Sequence, residues 1–565
     1  MSSEERLDAY HFYERDWESS KQLRDAFEWQ VPDPLNVAEY VCDRWVSDGD
    51  RVALHHEDHE GTQETVTYRE LRDRSNRVAN FLAANSVVSG DRIGVNTAPR
   101  PWALAFHLAA WKLGAVSIPL STLFGPQGLG YRLDDADAVV CLVDEWNVDT
   151  LREVRGEHPA LEMVVTLGNI NPEADEISLA DAVKGHSTEF EVVTTAPTDE
   201  FLQPYTSGTT GSPKGAVYEH QVLLGHLPHY VATFCNMAVE DDDVFYSNAD
   251  WAWVYGLVSV TCLSLFYGTP VVSFNGGEFD PERTFELLER YGVTNFPTTP
   301  TTLKMMMDVE SALDRFDLSD LRLVATGGES IGKNVVDWVT DSVDATFHEL
   351  YGQTEMNLLV GDCTALFEFR EGSIGRPSPG HDVRIVDPDT AEPTVPDGEV
   401  GEIALRYADD PVCFAGYWNI PDVTAAKLKE NGWAVTGDLG VRDEDGYFTF
   451  LRRKDDTIIS AGYTIGPDEI EDCLASHEAV LDAGVIGVPD DERGEVPMAF
   501  VVLAADWEPS PALERELTQY VKERLAKYEY PRRIAFIEEL PRTTTGKVRR
   551  VELKTRVDEG VTGEE

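Results

Sequence analysis

The chain has 565 residues, 102 of them acidic and 47 basic, for a net charge of −55. That length suggests roughly three or four units of ordinary domain size. An apolar fraction of 42% with 10% aromatic residues excludes a mostly disordered chain. A surface of this sign repels phosphate backbones, so nucleic acid is excluded as a partner.

Only 13 of the basic residues are lysine, against 34 arginine. The acids are spread along the chain ("AVEDDDV", "LRDEDGYF", "VPDDERGE") and not gathered in a tail. The pattern predicts adaptation to high salt, where a Debye length of roughly 3 Å at 1 M screens self-repulsion. The start, "MSSEERLDAY", has neither the basic nor the apolar region of a leader. No run approaches the roughly 18 apolar residues of a membrane span. A cytoplasmic protein with no membrane attachment is expected.

In chain order, His55, His56 and His59 in "LHHEDHEG" read as a polar hairpin loop, because no metal-ligand spacing surrounds them. "RIGVN" (92–96), "PWALAFHLAAWKLG" (101–114) and "AVSIPL" (115–120) then read as strand, amphipathic helix and strand. This is a βαβ unit of a parallel sheet. The pattern recurs in "TFELLERYG", "VTNFP" and "LRLVATGG", and no fixed repeat period appears. Beyond about residue 380 strands alternate with turns, and the last hundred residues or so read as a small α+β unit. There Leu513, Leu517, Val521 and Leu525 form one helical stripe, with Pro531 as its stop. The charged run "RRKDDT" (452–457) divides a first domain, 1–452, from a second, 453–565. Cys42, Cys141, Cys235, Cys262, Cys363, Cys413 and Cys473 are scattered without C-x-x-C spacing and read as small core residues in a reducing compartment.

"YTSGTTGSPKG" (205–215) has three glycines, three threonines, two serines and one lysine, and is expected to link a strand to a helix. Glycines there let successive N–H groups converge on phosphate oxygens, and Lys214 adds a full positive charge. It is not a Walker A loop, because Lys214 stands between Pro213 and Gly215 instead of within G-K-[ST].

The stretch resembles the phosphate loop of the adenylate-forming superfamily, which includes acyl-CoA synthetases, firefly-type luciferases and peptide-synthetase adenylation domains. Five further stretches resemble that family in order: "ATGGES" (325–330), "YGQTE" (351–355), "TGDLG" (436–440), "RRKDDTIISAGYTIGPDEIE" (452–471) and "PRTTTGKVRR" (541–550). The resemblance implies an α/β fold. A large N-terminal adenylate-forming domain would hold two doubly wound αβ subdomains and a small β-barrel, followed by a small, mobile α+β C-terminal domain. It also implies that a carboxylate attacks the α-phosphate of ATP, giving an acyl-adenylate and pyrophosphate, and that coenzyme A then displaces AMP.

The resemblance assigns roles residue by residue. Thr206, Ser207, Gly208, Thr209, Thr210, Gly211 and Lys214 would cradle phosphates. Gly328, Glu329 and Ser330 would wall the adenine opposite Tyr351, with Gly352 and Gln353 beside it. Thr354 would meet the α-phosphate, and Glu355 would bind magnesium as a hard oxygen donor. Asp438 and Arg453 would hold the ribose, Asp455 would be the hinge, and Lys547 would concentrate positive charge between the two anions that must meet. Gly462, Lys527 and Arg532 would contact coenzyme A. Thr464 and Ala461 depart from the family pattern, where arginine and serine are frequent.

Trp253, Val254, Tyr255, Gly328 and Gly352 would line the acyl pocket. Gly352 stands where acetyl-CoA synthetases carry tryptophan, so an enlarged pocket for a medium-length, branched or aryl acid is expected. The expected partners are small molecules: the carboxylate, ATP and coenzyme A. Self-association into a homo-oligomer is left open. Two alternatives stand beside this reading, an adenylating enzyme that passes its acyl group to a carrier protein and a non-catalytic nucleotide-binding relative.

Overall fold

The computed structural model describes residues 6–206, 213–277, 279–328, 331–456, 458–460, 463–490, 493–505, 507–525, 529–542 and 548–558. Its first strand, β1 (Val52–Asp58), takes up His55 and His56, correcting the expected hairpin loop. The imidazole of His56 is buried and bonds Ser273 Oγ at 3.0 Å, so it is a core residue. No group of three metal-ligating side chains exists among the described residues.

β2 (Arg92–Asn96), α1 (Pro101–Lys112) and β3 (Val116–Leu120) form the expected βαβ unit, with β2 and β3 parallel. The helix differs from expectation in one respect. All its residues except Trp102 are buried, including Lys112, whose ammonium donates to Asp43, Ser75 and Asn76 at 2.7–2.9 Å. It is enclosed, not amphipathic, because other elements cover the face turned away from the sheet.

β4 (Tyr205–Thr206) and β5 (Lys214–Glu219) pair antiparallel, with Lys214 opposite Thr206. The glycine-rich stretch therefore joins two strands of a hairpin, not a strand to a helix. The helix α2 (Val222–His229) starts only after β5 and a turn. The strands β6 (Asn295–Thr298), β7 (Leu323–Gly327) and β8 (Thr346–Gln353) run parallel in that order, and β9 (Asn357–Gly361) pairs antiparallel with β8. β10 (Gly416–Tyr417) pairs with β5.

Two nine-stranded sheets hold these elements, one containing β1 and β6 to β9, the other β2, β3, β4, β5 and β10. One large apolar cluster runs through both. A third, four-stranded sheet contains β11 (Ala434–Arg442) and β12 (Phe448–Arg453). Its end strands, Val383–Val386 and β12, do not pair, so among the described residues it is an open antiparallel sheet and not the expected barrel.

A fourth sheet begins with β13 (Ile458–Ser460); it is five-stranded and has its own apolar cluster. The helix α3 (Pro511–Arg524) buries Leu513, Leu517 and Val521 there. It stops seven residues before Pro531, with the Leu525 N–H donating to the Val521 carbonyl at 2.9 Å, so the proline is not its terminator.

Candidate active site

β8 and β11 meet through side chains. Tyr351 and Gln353, two residues apart, share one face of β8. On that face the Tyr351 hydroxyl donates to Asp438 Oδ2 at 2.5 Å, and Gln353 Nε2 donates to the same oxygen at 2.7 Å. Arg453 lies directly opposite Asp438 in the β11–β12 register, and its guanidinium donates to Asp438 Oδ1 at 2.7 Å. The structure thus joins Tyr351, Gln353, Asp438 and Arg453 into one cluster. Burial, and then the Asp438 charge, pushes the Tyr351 phenol far above its ordinary range, so it stays a neutral donor.

Two residues missed in the sequence complete the cluster. Lys427 Nζ donates to Gln353 Oε1 at 3.0 Å. Lysine has no acceptor, so this contact turns the amide nitrogen of Gln353 towards Asp438. Thr436 Oγ1 accepts from the Asp438 N–H at 3.1 Å and donates to the Ile403 carbonyl at 2.7 Å, fixing the turn that presents the carboxylate. Lysine scarcity was the available signal for Lys427, one of 13.

The turn after β8 carries Thr354 and Glu355. Tyr218, on β5, donates its hydroxyl to the Thr354 carbonyl at 2.5 Å. Tyr417, on β10, donates to Glu355 Oε1 at 2.6 Å. Both phenols are pushed above their ordinary range, by burial first and by the Glu355 charge second. Because β5 also bears Lys214, the β4–β5 hairpin, the Thr354–Glu355 turn and β10 form one bonded unit. Lys214 has no carboxylate partner among the described residues. Glu355 keeps Oε2 without a partner there, a donor that suits magnesium, which takes one or two carboxylates and fills its shell with water and phosphate oxygens.

Gly328 follows β7 directly, with φ +88° and open space beyond its Cα, next to Gly327, which pairs with Leu350 on β8. Gly352 is different. A Cβ there would meet the Asn357 carbonyl oxygen and, at 2.9 Å, Leu358 Cα on β9. The hydrogen of Gly352 allows this close approach of two strands and opens no acyl volume, which corrects the enlargement expected from the missing indole.

Trp253, Val254 and Tyr255 stand at the entry of a wide helical turn, Tyr255–Cys262. Val254 is buried, the Trp253 ring meets Phe124 at 6.5 Å and the Tyr255 ring meets Phe234 at 6.1 Å. No hydrogen bond ties these three side chains to the Asp438 cluster. Arg532 is in the last sheet's unit, with its guanidinium 4.1 Å from the centre of the Tyr530 ring. Thr206 is in the hairpin. Asp455 belongs to the short helix Lys454–Asp456 that follows β12. Ser207, Gly208, Thr209, Thr210, Gly211, Glu329, Ser330, Ala461, Gly462, Lys527 and Lys547 lie outside the described residues, as do the side chains of Asp455 and Thr464.

The family profile of AMP-binding enzymes matches residues 43–418, and that of the AMP-binding enzyme C-terminal domain matches 469–547. The acetyl-coenzyme A synthetase of Bacillus subtilis is 32% identical over 533 residues, 92% of this chain and 90% of its own. Acyl-coenzyme A synthetase ACSM4 of Mus musculus is 31% identical, over 92% of this chain and 90% of its own. An anthranilate CoA ligase, solved in complex with anthranoyl-AMP, superposes with a TM-score of 0.82 at 27% identity, covering 94% of this chain and 99% of its own. Fold and site together define an adenylate-forming enzyme with a large N-terminal and a small C-terminal domain. The chain belongs to the family of AMP-binding enzymes and, within it, to the AMP-forming acyl-CoA synthetases, which activate an acid as its adenylate with ATP and take coenzyme A as co-substrate. No helix among the described residues is long and apolar enough to cross a membrane.

Proposed function

We propose that this enzyme joins a medium-length, branched or aryl carboxylic acid to coenzyme A in high salt. A carboxylate oxygen attacks the α-phosphorus of ATP, the bond to the bridging oxygen of pyrophosphate breaks, and a mixed anhydride with AMP forms. The sulfur of coenzyme A then attacks the acyl carbon, the carbon–oxygen bond to AMP breaks, and the thiol proton passes to solvent. Asp438 accepts from the ribose hydroxyls, Tyr351 flanks the adenine and Lys214 meets phosphate. Glu355 would hold magnesium, which when bound would neutralise phosphate charge.

Lys547 supplies the cation that lets two anions approach, and the segment after Asp455 turns between the half-reactions. The expected division at 452/453 falls one residue before the end of β12; the chain leaves that sheet at Arg453 and enters the next at Ile458, which supports a turning point just after it. Gly462, Lys527 and Arg532 serve the coenzyme A side.

The observation that carries the reading is the bonded unit of Tyr351, Gln353, Asp438 and Arg453 beside the Thr354–Glu355 turn. The acid class rests on the aromatic surround of Trp253 and Tyr255, and the anthranoyl adduct of the anthranilate ligase supports an aryl acid. The salt reading rests on the net charge of −55.

The test is carboxylate-dependent AMP release with and without coenzyme A in molar KCl, over straight-chain, branched and aryl acids, with Lys547→Ala alongside. The expected result is CoA-dependent release peaking away from acetate, lost in Lys547→Ala and falling as KCl is withdrawn. A peak at acetate refutes the acid class, and release that ignores coenzyme A refutes the thioester step. Full activity in Lys547→Ala refutes its role, and full activity in dilute buffer refutes salt adaptation.

A further inference from the structure

Among the contacts at the Thr354–Glu355 turn, two hold its backbone. The Tyr218 hydroxyl donates to the Thr354 carbonyl at 2.5 Å, and the Cys413 thiol donates to the Glu355 carbonyl at 3.5 Å. The third reaches the Glu355 side chain itself, through the Tyr417 hydroxyl at 2.6 Å.

Tyr417 is also the residue through which this turn meets the phosphate-loop hairpin. It lies opposite Ala216 in the β5–β10 register, and the next N–H along, that of Trp418, donates to the Gly215 carbonyl at 2.8 Å. The strand is pinned on its far side. The Trp418 indole donates to the Asp135 carbonyl at 3.0 Å, and the Arg92 guanidinium stacks 3.8 Å from its ring. The Tyr417 N–H donates to Thr424 Oγ1 at 2.9 Å. The hydroxyl therefore starts from a fixed point bonded to the foot of the phosphate loop.

We propose that Tyr417 is a positioning residue for Glu355: its hydroxyl occupies Oε1, so that Oε2 is the oxygen presented to the magnesium of magnesium–ATP, in a place set by the phosphate-loop hairpin. This deepens the proposed function and rests on its reading of Glu355. A hydrogen bond to one carboxylate oxygen fixes the side-chain torsion and leaves the other as the free ligand. Without that bond the carboxylate swings, and its oxygen meets the metal only part of the time.

The test is calorimetric titration of ATP, with magnesium and with EDTA, into the full chain, Tyr417→Phe and Glu355→Gln in molar KCl, paired with Mn2+ binding followed by electron paramagnetic resonance. Phenylalanine keeps the ring contact with Phe414, whose centroid is 5.3 Å away, and keeps every backbone bond of β10. The expected result in Tyr417→Phe is a loss of about tenfold in the metal-dependent gain of ATP affinity, the size of one hydrogen bond to a charged group. Mn2+ affinity in the presence of ATP should fall in parallel, with ATP binding in EDTA unchanged. An undiminished metal-dependent gain in Tyr417→Phe, while Glu355→Gln loses it, overturns the role of Tyr417 and leaves Glu355 as ligand. An equal loss with and without metal also overturns it, since the variant would then have distorted the hairpin. Should Glu355→Gln keep the gain, the Glu355 reading and this proposal fall together.

Discussion

Two sets of buried or half-buried carboxyl groups lie at β8, and they meet opposite surroundings. Asp438 receives three donors, from Tyr351, Gln353 and Arg453. Glu349, two residues upstream of Tyr351, and Asp362, just after β9, lie together, and neither has a salt-bridge partner among the described residues. Asp362 Oδ2 accepts only the Glu349 N–H, at 3.0 Å, and its Oδ1 has no partner among the described residues. Burial pushes Glu349 up to about 8, helped by the Asp362 charge, and pushes Asp362 up to about 7. Depth alone does not decide the fate of an acid here. The supply of donors around Glu349 and Asp362 matters as much, and it is far poorer than around Asp438.

The strongest way to break the contrast is Asp438→Asn. An amide presents a donor to Tyr351, Gln353 or Arg453, so ATP affinity should fall about 100-fold, as expected for the loss of more than one charge-assisted bond. Unchanged affinity by calorimetry would mean that the ribose is held elsewhere. A smaller change is expected from Lys427→Met, which frees the Gln353 amide to rotate. KM for ATP should rise about tenfold with kcat little changed, and an unaltered KM would show that Lys427 does not orient Gln353.

The other side of the contrast is read by pH. Glu349 and Asp362 keep protons in the folded state that the unfolded chain releases once pH passes the ordinary carboxylate range. Stability should therefore decline as pH rises from about 5 towards 8, where these groups finally ionise. Glu471, pushed up to about 7 by burial although Arg550 lowers it, adds to the same slope. Glu349→Gln removes one contributor, so the fall in Tm between pH 5 and pH 8 should shrink by about 2 °C relative to the unaltered chain. An identical slope in the variant would show that Glu349 does not hold its proton.

Elements with a single clear period were legible in the sequence. Residues 92–120 announced strand, helix and strand, and the parallel pairing of β2 and β3 followed. The failures have local causes. β4 is two residues long, too short for any period, so the β4–β5 hairpin looks in the sequence like a strand leading to a helix. His55 and His56 look polar in a row, yet one points into the core because strand faces alternate. At the site, Tyr351, Asp438 and Arg453 were legible through their motifs, and the bonds among them were not. Lys427 and Tyr417 belong to no motif that the sequence reading assigned a role. Their partners, Gln353 and Glu355, lie 74 and 62 residues away, a separation that local pattern cannot span. A missing side chain at Gly352 looks like a void in the sequence, whereas another strand's backbone fills the space.

All seven cysteines are buried, and burial is the first cause raising each thiol above its ordinary range. An acyl-adenylate is an electrophile that any thiolate in reach would capture. Cys413 stands within hydrogen-bonding distance of the Glu355 carbonyl, and there it is spent as a donor, protonated and covered. The enzyme's own sulfurs are thereby kept out of the competition, and self-acylation is avoided by the same packing that builds the core.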